Sequence, residues 1–189
     1  MTASNGIGSL TVVFRLNIAS ANGPNQKPFS DSYTYRATFN PSEFSVIRSD
    51  SAPYTATNYV VSGNGAISSD IFSLMPSEAL TTKPDQTIIG RQNDYDTDFI
   101  KNIGFGDNRT FEVDGVLNQT VTEMFFERRE PSRGGTGDAA SAMTPAEVHD
   151  ILQVGCAAPF FIFHRVYDGA QTRTTYEGTA TILSVSPMP

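Results

Sequence analysis

A chain of 189 residues with 20 acidic and 13 basic side chains, net charge −7, is sized for one domain with a sizeable core, and its sign excludes a nucleic-acid backbone as a specific partner. A single cysteine, Cys156, excludes an internal disulfide. The longest apolar run, "AAPFFIF" over 157–163, is far short of the roughly 20 residues that span a bilayer, so no membrane insertion is expected.

At the start, "MTASNGIGSL" has no basic segment leading into an apolar one. No signal peptide is read, and a soluble protein made in the cytosol is expected. "LTVVFRLNI" follows. Leu10, Val12, Phe14, Leu16 and Ile18 share one face, with Thr11, Arg15 and Asn17 on the other. This period-two alternation predicts a strand of a sheet with one wet side. "YTYRATF" alternates in the same way, with Tyr33, Tyr35, Ala37 and Phe39 on one face, and is read as its antiparallel neighbour.

Loops are expected at about residues 19–32, 40–92 and 127–143. Within the second, "FSVIRS" and "TNYVVSG" read as short strands, "MPSEAL" as one helical turn opened by Pro76, and "TIIG" as an edge strand. "RTFEVDGVL" resumes the strand signal, with Gly115 taken as a bulge, and "QTVTEMFFE" continues it. "PFFIFHRVY" is apolar on both faces at first, which predicts a central strand. "DGAQ" reads as a turn with Gly169 at positive φ, joining that strand to "RTTYEGTATILSVS" in a hairpin.

A helix is predicted at about residues 145–154. Thr144 caps it, Pro145 opens it, Glu147 completes a capping box, and Met143 and Val148 are spaced as a hydrophobic staple. Gly155 suits the C-terminal cap. Val148, Ile151 and Leu152 form an apolar stripe that is stable only when laid on a sheet. The whole reads as a single mainly β domain over 1–189, an antiparallel β-sandwich or barrel with one short flanking α-helix.

The motifs argue against chemistry. Arg133, Gly134, Gly135 and Gly137 precede the helix, but Asp138 follows them where a phosphate cradle needs lysine. They read instead as an assembly loop that lies along a neighbouring subunit. Asp94, Asp96 and Asp98 alternate with the spacing of calcium ligands, yet an EF-hand would need glycine and glutamate where Phe99 and Phe105 stand. They remain weak metal candidates, or three carboxylates on one solvated face. Cys156 has His149 and His164 nearby in sequence, without a recognisable zinc spacing or nucleophile motif. Tyr33, Tyr35, Tyr54 and Tyr59 offer a sugar platform as an alternative to sheet packing. No enzyme activity and no cofactor are expected.

The capped helix "TPAEVHDILQVG", the late strands "PFFIFHRVY" and "RTTYEGTATILSVS", and the acidic balance together resemble bacteriophage structural proteins, in particular tail-tube subunits. The resemblance covers the last third best. It implies a structural subunit of a virion, assembled in the host cytoplasm from identical copies and other virion proteins. Hexameric rings would stack around a lumen that passes DNA, and Asp94, Asp96 and Asp98 are its lining candidates by that resemblance. A capsid decoration protein or head–tail connector is the alternative, and a carbohydrate- or calcium-binding β-sandwich module is the second.

Overall fold

The computed structural model describes residues 9–40, 45–49, 58–61, 65–82, 86–94, 99–130 and 145–187. In chain order these form β1 (Leu10–Asn22), β2 (Tyr33–Phe39), β3 (Ser45–Ser49), β4 (Asn58–Val61), β5 (Ala66–Ser69), a 3₁₀ turn (Asp70–Leu74), α1 (Ser77–Thr81), β6 (Gln86–Asp94), β7 (Phe99–Val113), β8 (Val116–Glu130), α2 (Pro145–Ile151), β9 (Ala157–Val166) and β10 (Thr172–Pro187). The strands join in one sheet, ordered β3-β4-β6-β7-β8-β9-β10-β1-β2-β5. Every neighbouring pair is antiparallel.

The inner rings show that the sheet curls. Phe14 on β1 meets Phe105 on β7 at 4.9 Å between ring centroids and Phe126 on β8 at 5.3 Å. Phe39 on β2 meets Phe105 at 5.8 Å. In a flat sheet β1 and β7, four places apart, would be separated by about 19 Å. Seven strands close nearly into a barrel, and β6, β4 and β3 continue past β7 in the sheet order. The alternation read in β1 and β2 supplies the filling: Phe14, Leu16, Tyr35 and Ala37 are wholly buried. Phe14 and Leu16 each contribute about 1.5–3 kcal/mol by leaving water.

A strap closes the seam between β2 and β7. On one side the Thr34 N–H donates to Asp70 Oδ1 at 2.7 Å, and Ser69 Oγ donates to the Thr34 carbonyl at 2.6 Å. On the other, Arg109 Nη1 on β7 donates to the carbonyls of Ala79 at 2.8 Å and Thr82 at 3.2 Å. Its guanidinium lies 4.8 Å over the Phe72 ring. Ile71, Phe72, Leu74, Met75 and Ala79 are buried beneath. The 23–32 connection is tied down as well, with Lys27 Nζ donating to the carbonyls of Ser73 and Met75 and the Lys27 N–H donating to Tyr176 Oη at 2.7 Å.

Several expectations are corrected here. The 40–92 segment is less of a loop than expected: the strands read at "FSVIRS" and "TNYVVSG" and the helical turn read at "MPSEAL" are β3, β4 and α1, and they are joined by β5 and the 3₁₀ turn, of which β5 gains its backbone partners by pairing with β2. β6, which contains "TIIG", is paired on both sides, by β4 and β7, and is no edge. β1 runs on to Asn22, which shortens the first loop, and β8 runs to Glu130, which shortens the third. Asp114 and Gly115 make no bulge: both have positive φ, 50° and 77°, and form the two-residue turn of the β7–β8 hairpin, where Val113 pairs with Val116. Pro76 is the N-cap of α1 rather than its first residue.

The single flanking helix is joined by α1 and the 3₁₀ turn, and α2 stops at Ile151 rather than near residue 154. Its stripe of Val148, Ile151 and Leu152 is buried in the barrel core, and α2 packs against β7 and β8. Gly155, at φ 89°, lies beyond the helix in a turn that docks on β10. Its N–H donates to the Ile182 carbonyl at 2.8 Å, and the Ile182 N–H donates to the Cys156 carbonyl at 2.9 Å. Thr144 and Met143 lie outside the described residues, as does the side chain of Glu147.

Candidate assembly surface

The residues singled out in the sequence do not converge on one site. Arg133, Gly134, Gly135 and Gly137 lie outside the described residues, as do Asp96 and Asp98. Asp94 ends β6, its backbone paired opposite Ile100. Among the described residues no group of three or more His, Cys, Asp or Glu could hold a metal ion. His149 is exposed on α2. His164 points inward from β9, where its Nε2 bonds Asn118 Oδ1 at 2.7 Å and its ring stacks on Phe111. That places it in the barrel's polar lining with Thr120 and Thr174. Two members of the tyrosine platform are core: Tyr33 is buried, and Tyr35 is completely so. Alternation put them on the apolar face of β2, and the barrel closed over that face. Tyr54, and the side chain of Tyr59, lie outside the described residues.

The notable chemistry is on the outer face of β8, β9 and β10. Apolar residues on both faces of "PFFIF" are explained there. Phe160 and Ile162 fill the barrel, while Phe161 and Phe163 face out, stacked at 6.2 Å and 11°. Register then aligns three rows across the strands. Glu123 on β8 and Glu177 on β10 both stand opposite Phe161. Two residues along, Val121 and Thr175 stand opposite Phe163. Two further, Gln119 and Arg173 stand opposite Arg165. At about 3.4 Å per residue the acidic and basic rows are about 14 Å apart, with Phe163 midway.

The basic row is held in place. The Arg173 guanidinium lies 4.2 Å over the Phe163 ring and that of Arg165 lies 5.4 Å from its centroid, a cation–π arrangement that holds two like charges at one ring. Arg165 Nη1 also donates to Tyr167 Oη at 3.3 Å, and Arg173 Nε donates to Thr175 Oγ1 at 3.2 Å. Their stems cover Phe163, which is 9% exposed although it faces out.

The acidic row borders an open hollow of about 340 Å³ lined by Glu123, Phe125, Ala157, Ala158, Pro159 and Phe161. Phe125 packs over Gly104 of β7, where a Cβ would come within 2.6 Å of the ring. Partial burial in this hollow raises Glu123 above its ordinary carboxylate value. Among the described residues, neither carboxylate of this row nor either guanidinium of the basic row forms an ion pair; the ion pair found there is Arg109–Asp107.

Sequence reasoning missed this surface because its charges come from three separate segments that only the register brings together. The double-sided apolarity of "PFFIF" was its local sign. No helix among the described residues is long and apolar enough to cross a membrane. No protein-family model and no curated protein matches the chain, so the surface stands on its own residues.

Proposed function

We propose that this chain is a structural subunit that assembles with identical copies in a virion or tail-like particle, most specifically as a tail-tube protein whose rings surround a DNA-passing lumen. One observation supports self-assembly above the rest: the outer face of β8–β10 sets aromatic rings and unpaired charges in ordered rows, around a barrel whose interior is filled by its own side chains. Aromatic residues and arginine are the side chains enriched where proteins meet. The finer tail-tube reading rests on the resemblance of the helix and late strands and on the net charge of −7, which repels passing phosphates and keeps a lumen unadhesive. Negative-stain microscopy of the purified chain tests it. Rings or stacked tubes are expected, and a field of small particles at high concentration contradicts it.

A further inference from the structure

We infer that the outer face of β8–β10 binds the same face of a second copy, turned end for end about a twofold axis through Phe163. This rests on the reading of the chain as a self-associating subunit and names the partner of that surface. The argument is charge complementarity. Glu123 and Glu177 form one row and Arg165 and Arg173 another, equidistant from the Phe163 row. Turning a copy through half a revolution about that middle row lays each acidic row on the other's basic row. A parallel superposition would lay like on like.

The side chains suit such a contact. Both guanidiniums are pinned on Phe163 with outward donors free for carboxylates, so little side-chain freedom remains to be lost on pairing. The hollow beside Glu123, walled by Phe125 and Phe161, offers a guanidinium both a carboxylate and aromatic faces. Because Glu123 is partly desolvated and has no ion-pair partner among the described residues, its charge gains most when a cation arrives. The contact is isologous and closes after two copies. An open tube must therefore grow through other surfaces at higher concentration, and this pairing sets the state of the dilute subunit before rings form.

The experiment is sedimentation velocity on the full chain and on two charge-reversed variants, one carrying E123R and E177R and the other R165E and R173E. The parent is expected to dimerise and to weaken with added salt. Each variant alone, now bearing a face of one sign, is expected to be monomeric, and the two mixed in equal amounts are expected to dimerise with each other. A variant that dimerises like the parent, or a mixture that stays monomeric while both variants melt as cooperatively as the parent, overturns the inference. If a reversal unfolds the sheet, the neutral pair E123Q and E177Q replaces it. Dimer dissociation is then expected to rise about tenfold or more, and an unchanged constant overturns the inference. Parent particles larger than a dimer that ignore both rows overturn this pairing and leave self-assembly standing. A parent that is monomeric throughout overturns both.

Discussion

Asp107 and Arg109 stand two residues apart on the inner face of β7 and meet through paired bonds, Nε to Oδ1 at 2.7 Å and Nη2 to Oδ2 at 3.1 Å. Both are buried. Arg109 turns its remaining nitrogen, Nη1, to the strap, so one side chain neutralises a buried carboxylate and fastens the barrel seam.

Replacing Arg109 with methionine leaves Asp107 buried and unpaired. A loss of about 3–5 kcal/mol is expected, read from urea unfolding. Adding Asp107→Leu to that variant is expected to recover much of it, because no charge is then left without a partner. A single variant within about 1 kcal/mol of the parent would show that the pair does not hold the seam.

Tyr35 presents the opposite case. Its hydroxyl is buried without a hydrogen-bond partner, and burial first, then the Asp107 charge, push its ionisation well above the ordinary value, with Arg109 opposing. Tyr35→Phe removes an unsatisfied polar group and keeps the ring contact with Phe14. It is expected to raise stability by about 1 kcal/mol in denaturant titration. A loss of that size would mean the hydroxyl is satisfied in solution.

Two groups give stability opposite slopes with pH. Burial, with Lys27 adding to it, lowers His164 below 6.5. The unfolded chain binds this proton first, so the contribution of His164 is complete above 6.5 and is lost as pH falls through the depressed folded value. Glu123 is raised above 4.5 by burial. Its contribution is present below 4.5 and is lost as pH rises through the raised folded value. Melting of dilute protein in high salt separates them. His164→Gln is expected to flatten the decline of the parent below 6.5. Glu123→Gln is expected to melt about 1–2 °C higher at neutral pH and level with the parent in acid.

Two glycines predict contrasting costs. A Cβ at Gly178 of β10 would lie 1.9 Å from the Asn17 backbone oxygen, beside the register shift in β1. Gly178→Ala is expected to cost about 3 kcal/mol, since backbone must move. A Cβ at Gly104 would meet the Phe125 ring instead. Ring rotation absorbs that clash, and Gly104→Ala is expected to cost less than about 1 kcal/mol while opening the hollow beside Glu123. Equal losses in thermal melts would contradict this picture.

β1, β2 and β10 were legible because each alternates with one wet face, β9 because its apolar run marks a central strand, and "DGAQ" carries its turn chemistry openly, with Gly169 at φ 86°. Asp114–Gly115 is equally plain as a hairpin signal, and reading Gly115 as a bulge hides the longest hairpin among the described residues. Of the short strands of 40–92, β3 and β4 were legible in "FSVIRS" and "TNYVVSG", while β5 is only "AISS" and carries too few apolar residues to stand out. The charge rows had no local pattern at all. Glu123 and Glu177 are distant in the chain and become neighbours of Phe161 only once β8, β9 and β10 pair.

Sedimentation velocity of the purified full chain, followed from low to high micromolar concentration, tests the central claim most directly. The account predicts reversible growth from monomer to species of defined integer multiples, weakened by salt. A single 20.5 kDa species at every concentration and every salt would contradict it.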